Sequence, residues 1–153
     1  MRTPLTLLLL LAFAGIGAAA ESATAASASG AGAEATATVT VRSSDYGRII
    51  FDGRGRALYA FTRDSRARSA CYGACATAWP PYLVRGRLRA ASGTSRALLG
   101  TTRRRDGSLQ LTYAGRPLYY YVGDREPGEV RCQNVSEFGG LWLVVRANGR
   151  LVR

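Results

Sequence analysis

The chain has 153 residues and a formal net charge of +11, with 21 basic and 10 acidic residues and no histidine. Every basic residue is arginine and the only methionine is Met1, so the composition excludes a Ser-His-Asp hydrolase, a His-activated thiol and a His/Met copper site. The missing lysine reflects GC-rich coding more than a selected arginine surface, and only Arg85-Gly86-Arg87-Leu88-Arg89 and Arg103-Arg104-Arg105 form clusters.

Residues 1–20 read as a secretory signal peptide. Arg2 supplies a positive start, Leu5 to Ile16 an apolar stretch, and Ala18-Ala19-Ala20 a small-residue cleavage site. The apolar stretch is shorter than the roughly 20 residues a membrane-spanning helix needs, so no transmembrane segment is expected after cleavage. No cysteine precedes Cys71, so a lipid on an N-terminal cysteine is not expected. Residues 21–38 are Ala, Ser, Thr and Gly with hardly any bulky side chain. They bury too little to offset their ordering entropy and read as a flexible linker. An exported basic chain points to an anionic cell-envelope polymer or a protein partner, and away from nucleic acid.

Residues 39–153 then hold one domain built from two copies of one phrase, sixty residues apart. Gly55-Arg56-Ala57-Leu58-Tyr59-Ala60-Phe61-Thr62-Arg63-Asp64 recurs as Gly115-Arg116-Pro117-Leu118-Tyr119-Tyr120-Tyr121-Val122-Gly123-Asp124. Repeat 1 covers about 45–84 and repeat 2 about 99–153. Residues 48–52 and 57–61 flank a Gly-containing connection and read as a hairpin. Leu98 to Arg104 and Ser108 to Tyr113 read as strands around Asp106-Gly107, with 117–122 returning after Ala114-Gly115. Pro117 lacks an amide hydrogen and belongs at a strand start. Leu141 to Val145 is apolar throughout and reads as a central strand, followed by a turn at Ala147-Asn148-Gly149. Helical turns fit only near 70–78 and 92–98. The fold class is all-β or nearly so, with little helix.

The residues that could carry chemistry are few. Tyr59, Phe61 and Asp64 match Tyr119, Tyr121 and Asp124; aromatics at this spacing share a strand face, and each Asp falls just past the strand. They serve either as inter-sheet packing and turn caps or as a carboxylate pair for acid–base work or a metal ion. Cys71 and Cys75 are spaced for a disulfide in an oxidising compartment, with Cys132 as alternative partner or free thiol. Trp79, Tyr82 and Trp142 are candidates for ligand stacking. No cofactor or metal is expected.

These residues resemble a bacterial family of secreted proteins and lipoproteins described as a "secreted repeat of unknown function", whose members carry a Tyr-x-aromatic-x-x-Asp motif. The stretch Cys71-x-Gly73-x-Cys75-x-x-x-Trp79-Pro80-Pro81 looks like the family's signature after the first copy. Gly139-Gly140-Leu141-Trp142-Leu143-Val144-Val145 looks like the close of the second. The resemblance implies paired repeats outside the cytoplasm and no known reaction. Three functional readings stand: a non-enzymatic binding or structural module of the cell envelope; a redox or metal-handling protein using Cys71, Cys75 and Cys132; and a hydrolase built on Asp64 and Asp124.

Overall fold

A computed structural model describes residues 36–153. The expected signal peptide and most of the expected linker lie outside the described residues. The first half holds β1 (Ala37–Ser44), β2 (Gly47–Asp52), β3 (Tyr59–Phe61), the short helix α1 (Ala74–Ala78) and β4 (Leu88–Ala90). The second half opens with a 3₁₀ turn at Arg96–Leu98 and continues with β5 (Leu99–Arg103), β6 (Leu109–Tyr113), β7 (Arg116–Pro117), β8 (Val135–Glu137) and β9 (Gly140–Val144). The described residues are therefore nearly all β, arranged as two tandem repeats.

Three small sheets form, ordered β2-β1-β4, β3-β9-β8 and β5-β6-β7. β1 and β2 make a hairpin in register from Val39↔Asp52 to Ser44↔Gly47, and β4 joins β1 in parallel. β5 and β6 make the matching hairpin of the second repeat, from Leu99↔Tyr113 to Arg103↔Leu109. The apolar strand β9 is central in its sheet, between β3 and β8.

Three local readings need correction. The strand begins at Ala37, inside the expected linker, because Ala37 and Thr38 pair with Leu88 and Arg89. Residues 48–52 pair mainly with β1, and the expected hairpin to 57–61 is present but short: the Asp52 amide donates to the Arg56 carbonyl at 2.9 Å, Phe51 bridges Ala57, and the Leu58 amide donates to the Ile50 carbonyl at 3.3 Å. The return after Ala114-Gly115 is a strand only over Arg116–Pro117. The Leu118 amide still donates back to the Leu111 carbonyl at 3.0 Å, but from Tyr119 on the backbone is engaged elsewhere: the Tyr120 amide donates to the Pro80 carbonyl and the Tyr119 amide to Tyr59, each at 2.9 Å. Each buried amide needs one partner, and here repeat 1 supplies it.

The two repeats are interlaced. β3 of repeat 1 pairs with β9 of repeat 2, with Tyr59 opposite Val144. Conversely, Tyr119 of repeat 2 bridges Pro81 of repeat 1. The Ile50 amide donates to the Val145 carbonyl at 2.9 Å, and its counterpart, the Leu111 amide, to the Tyr82 carbonyl at 2.8 Å. Pro80-Pro81 removes two donors, which explains why 80–83 stays a run of bridges where β9 is a regular strand.

Candidate functional site

The repeated Gly-Arg opens the motif because the backbone turns there with φ near +91° at Gly55 and +74° at Gly115, a region that side chains rarely adopt. The chain then extends and delivers Tyr59 and Tyr119 to the centre of the molecule. Their backbones exchange hydrogen bonds in both directions, each 2.9 Å. Their hydroxyls cross over. Tyr59 donates to Asp124 Oδ2 at 2.7 Å, and Tyr119 donates to Asp64 Oδ2 at 2.9 Å. The other oxygen of each carboxylate accepts a backbone amide, from Ala70 at 2.7 Å and from Arg131 at 2.9 Å. Each Asp therefore caps its own loop and locks the tyrosine of the other repeat.

Burial dominates the electrostatics of these groups. It pushes the Asp64 carboxyl up to about 6, outweighing the Ala70 amide, the Tyr119 hydroxyl and the Arg104 charge. Burial also raises Asp124, against the pull of Tyr59 and Arg131. Both tyrosine hydroxyls are held protonated, first by burial and then by their Asp partners. Asp64 borders a cleft of about 160 Å³. That is below the roughly 300 Å³ at which ligand pockets begin.

The aromatic positions form one stack that runs across both repeats. Phe61 lies parallel to Trp142 at 4.2 Å, Trp142 to Trp79 at 3.9 Å, and Trp79 is tilted against Tyr121 at 4.6 Å. Tyr59 and Tyr119 meet the two indoles edge-on at 5.2 and 5.1 Å. Both tryptophans are fully buried, so a ligand would have to break core packing to stack on either. The Trp79 indole N–H donates to Glu137 Oε2 at 2.9 Å.

Cys71 and Cys75 form a disulfide, and Cys132 is a buried free thiol. Burial pushes the Cys132 thiol up, with the Tyr121 hydroxyl pulling the other way. Among the described residues no three His, Cys, Asp or Glu side chains come together to hold a metal ion.

The feature that faces solvent lies elsewhere. A cleft of about 450 Å³ is lined by Tyr82, Tyr120, Asp52, Arg54, Leu83 and Arg85, with residues 36–38 along one side. Tyr82 and Tyr120 are half-buried, with ring centroids 5.1 Å apart and planes tilted by 44°. Backbone pairing on both sides fixes Tyr82, whose amide donates to Leu118 at 2.9 Å and whose carbonyl accepts from Leu111. The Tyr82 hydroxyl donates to the Thr38 carbonyl at 3.2 Å and accepts the Thr38 amide at 3.0 Å. Asp52 is buried; its Oδ1 accepts the Arg54 and Arg56 amides at 2.9 and 2.8 Å, and its Oδ2 accepts the Tyr120 hydroxyl at 3.1 Å. The Arg56 guanidinium sits 4.8 Å from the Tyr120 ring centroid and donates to the Tyr121 and Asp124 carbonyls. The part of the two rings that Arg56 does not cover, and the exposed guanidiniums of Arg54 and Arg85, remain for a ligand.

Of the sequence candidates, Tyr82 alone lines this cleft. Tyr120, Asp52 and Arg54 were not singled out. Alternation offered one cue, since Tyr120 lies on the opposite strand face from Tyr119 and Tyr121.

A family profile described as "secreted repeat of unknown function" matches residues 40–82 and again 100–146. The chain belongs to this family. The two matched segments each contain one Tyr-x-aromatic-x-x-Asp motif, so in this secreted-repeat protein the crossed Tyr–Asp pairs join one matched segment to the other. No curated protein and no solved structure matches it. Among the described residues no helix is long and apolar enough to cross a membrane.

Proposed function

We propose that this secreted-repeat domain is a non-catalytic binding module of the cell envelope, and that the Tyr82/Tyr120 cleft takes an anionic envelope polymer. The carrying observation is the cleft itself: two rigidly held aromatic rings flanked by exposed Arg54 and Arg85, with the single lining carboxylate, Asp52, buried under three donors. Rings with fixed hydroxyls offer flat apolar faces to a sugar ring. Guanidiniums offer forked donors to carboxylate or phosphate. The repeat motif supports the same reading from the other side. Asp64 and Asp124 each hold one phenol and one backbone amide, a structural use that accounts for both.

Retention of the mature chain on isolated bacterial wall material tests this. The double charge reversal Arg54→Glu, Arg85→Glu should lower retention at least tenfold in low salt and leave the melting temperature within a few degrees, since both side chains are exposed. Retention equal to that of the natural chain would refute the cleft as the binding surface.

A further inference from the structure

The Cys71–Cys75 disulfide has two unlike sulfurs. Cys71 is fully buried, whereas Cys75, itself only 7 % exposed, lines a further cleft of about 370 Å³ together with Phe61, Arg63, Ala70, Tyr72 and Phe138. This cleft shares no residue with the Tyr82/Tyr120 cleft.

Its rim is strained. Phe138 and Gly139 form the β8–β9 turn with φ near 54° and 76°. A two-residue hairpin turn with both φ values positive favours Asn-Gly, and a bulky aromatic at the first position is an outlier. Phe138 does not recover that cost by burial, being 40 % exposed. Arg63 Nη1 donates to its carbonyl at 2.9 Å and holds it at the cleft edge. Strain of this kind collects where a side chain is presented to a partner.

A buried cation is anchored on the Cys71 backbone. Arg104 is 4 % exposed, and its Nη2 donates to the Cys71 carbonyl at 2.8 Å. Its Nη1 donates to Ser69 and Gln110, its Nε is buried without a partner, and the Asp64 carboxyl lies within range of its charge. A positive charge beside a cysteine favours its thiolate and makes it the better leaving group.

We propose that this disulfide is a thiol–disulfide exchange site, entered through the Phe138 cleft by a peptide thiol, with Cys75 as the attacked sulfur and Cys71 as the leaving one. An incoming thiolate forms a new S–S bond to Cys75 Sγ while the Cys75–Cys71 bond breaks. The electron pair of that bond leaves on Cys71 as thiolate, beside Arg104. A second peptide thiolate then attacks the mixed disulfide at the peptide's sulfur. It releases Cys75 thiolate and carries away an oxidised peptide disulfide. Two electrons pass from two peptide thiols to the protein. Arg63 suits a peptide bearing carboxylates, and Phe138 one with an apolar face.

The test uses the natural oxidised chain, glutathione as the probe, and no denaturant. After acid quench and maleimide labelling, chymotryptic cleavage following Tyr72 separates the two sulfurs for mass analysis. The expected early product carries glutathione on Cys75 and maleimide on Cys71, and forms at a rate proportional to glutathione concentration. Glutathione on Cys71 instead, or a rate independent of glutathione and equal to that of global unfolding, would overturn the assignment. Phe138→Gly supplies the second readout, because glycine suits the turn and preserves the fold. Exchange should slow at least threefold while the melting temperature stays level or rises; an unchanged rate removes the cleft as the entry.

Discussion

Asp124 is 2 % exposed and has Tyr59 as the side-chain donor on its Oδ2. Removing the hydroxyl with Tyr59→Phe strands a buried carboxylate oxygen, and loss of one partner of such a bond costs about 1–3 kcal/mol. Urea unfolding should show a loss of that size; a loss under about 0.5 kcal/mol would mean the crossed pair does not hold the repeats. Asp64 makes a separate, pH-dependent prediction. Its carboxyl is raised to about 6, so the folded state favours its protonated form. Its contribution to stability is full below the ordinary carboxylate value of 3.8 and is lost as pH rises through about 6. Asp124, also raised, acts in the same sense. Half-buried Glu129, drawn down to about 2 chiefly by Arg131, acts oppositely, but only as pH falls below the ordinary carboxylate range. Between pH 7 and 5 the urea midpoint should therefore rise on acidification, and Asp64→Asn should flatten the rise. A midpoint that falls over this interval in the natural chain contradicts the assignment.

At the scale of elements, what could be read from the sequence was whatever pairs locally. The β5–β6 hairpin around Asp106-Gly107, the apolar centre strand β9 and the turn at Asn148-Gly149 announce themselves by alternation, continuous apolarity and turn chemistry. The segment 117–122 looked like a strand for good reasons of composition, yet beyond Leu118 its amides are taken by Tyr59, Pro80 and Ala78, far away in sequence. Period-2 patterning says that a backbone is extended without saying which chain segment satisfies it. The Tyr82/Tyr120 cleft was hidden for the same reason: Asp52 and Tyr120 meet across 68 residues. The disulfide shows the reverse case. Its cysteines are only four positions apart, so pairing follows from proximity. A loop that short constrains the unfolded chain little, and its entropic contribution is about 2 kcal/mol. Set against the interlaced strands and the aromatic stack, that is a minor share of what holds the fold. Opening the bond during exchange is therefore compatible with an intact domain.

On the scale of the whole molecule, the repeats behave as a dimer joined into one chain. Tyr59 matches Tyr119, Phe61 matches Tyr121 and Trp79 matches Trp142, and every one of these residues makes a contact with the opposite repeat. Neither half owns a complete core. β3 needs β9, the Tyr119 backbone needs Tyr59 and Pro81, and each indole has the other as its stacking partner. A repeat alone would expose those rings and leave a buried Asp without its phenol, and a unit of that size buries too little surface to compensate. Cutting the chain after Gly93, at an exposed turn between β4 and β5, should then leave a nicked protein that stays associated and native by near-ultraviolet circular dichroism. Separated in denaturant and refolded apart, each half should lack a cooperative thermal transition; mixing the halves should restore it at a concentration-dependent midpoint. A half that melts cooperatively alone would show that the repeats are independent units, and the crossed Tyr–Asp pairs would then be contacts between finished domains rather than the means by which either one folds.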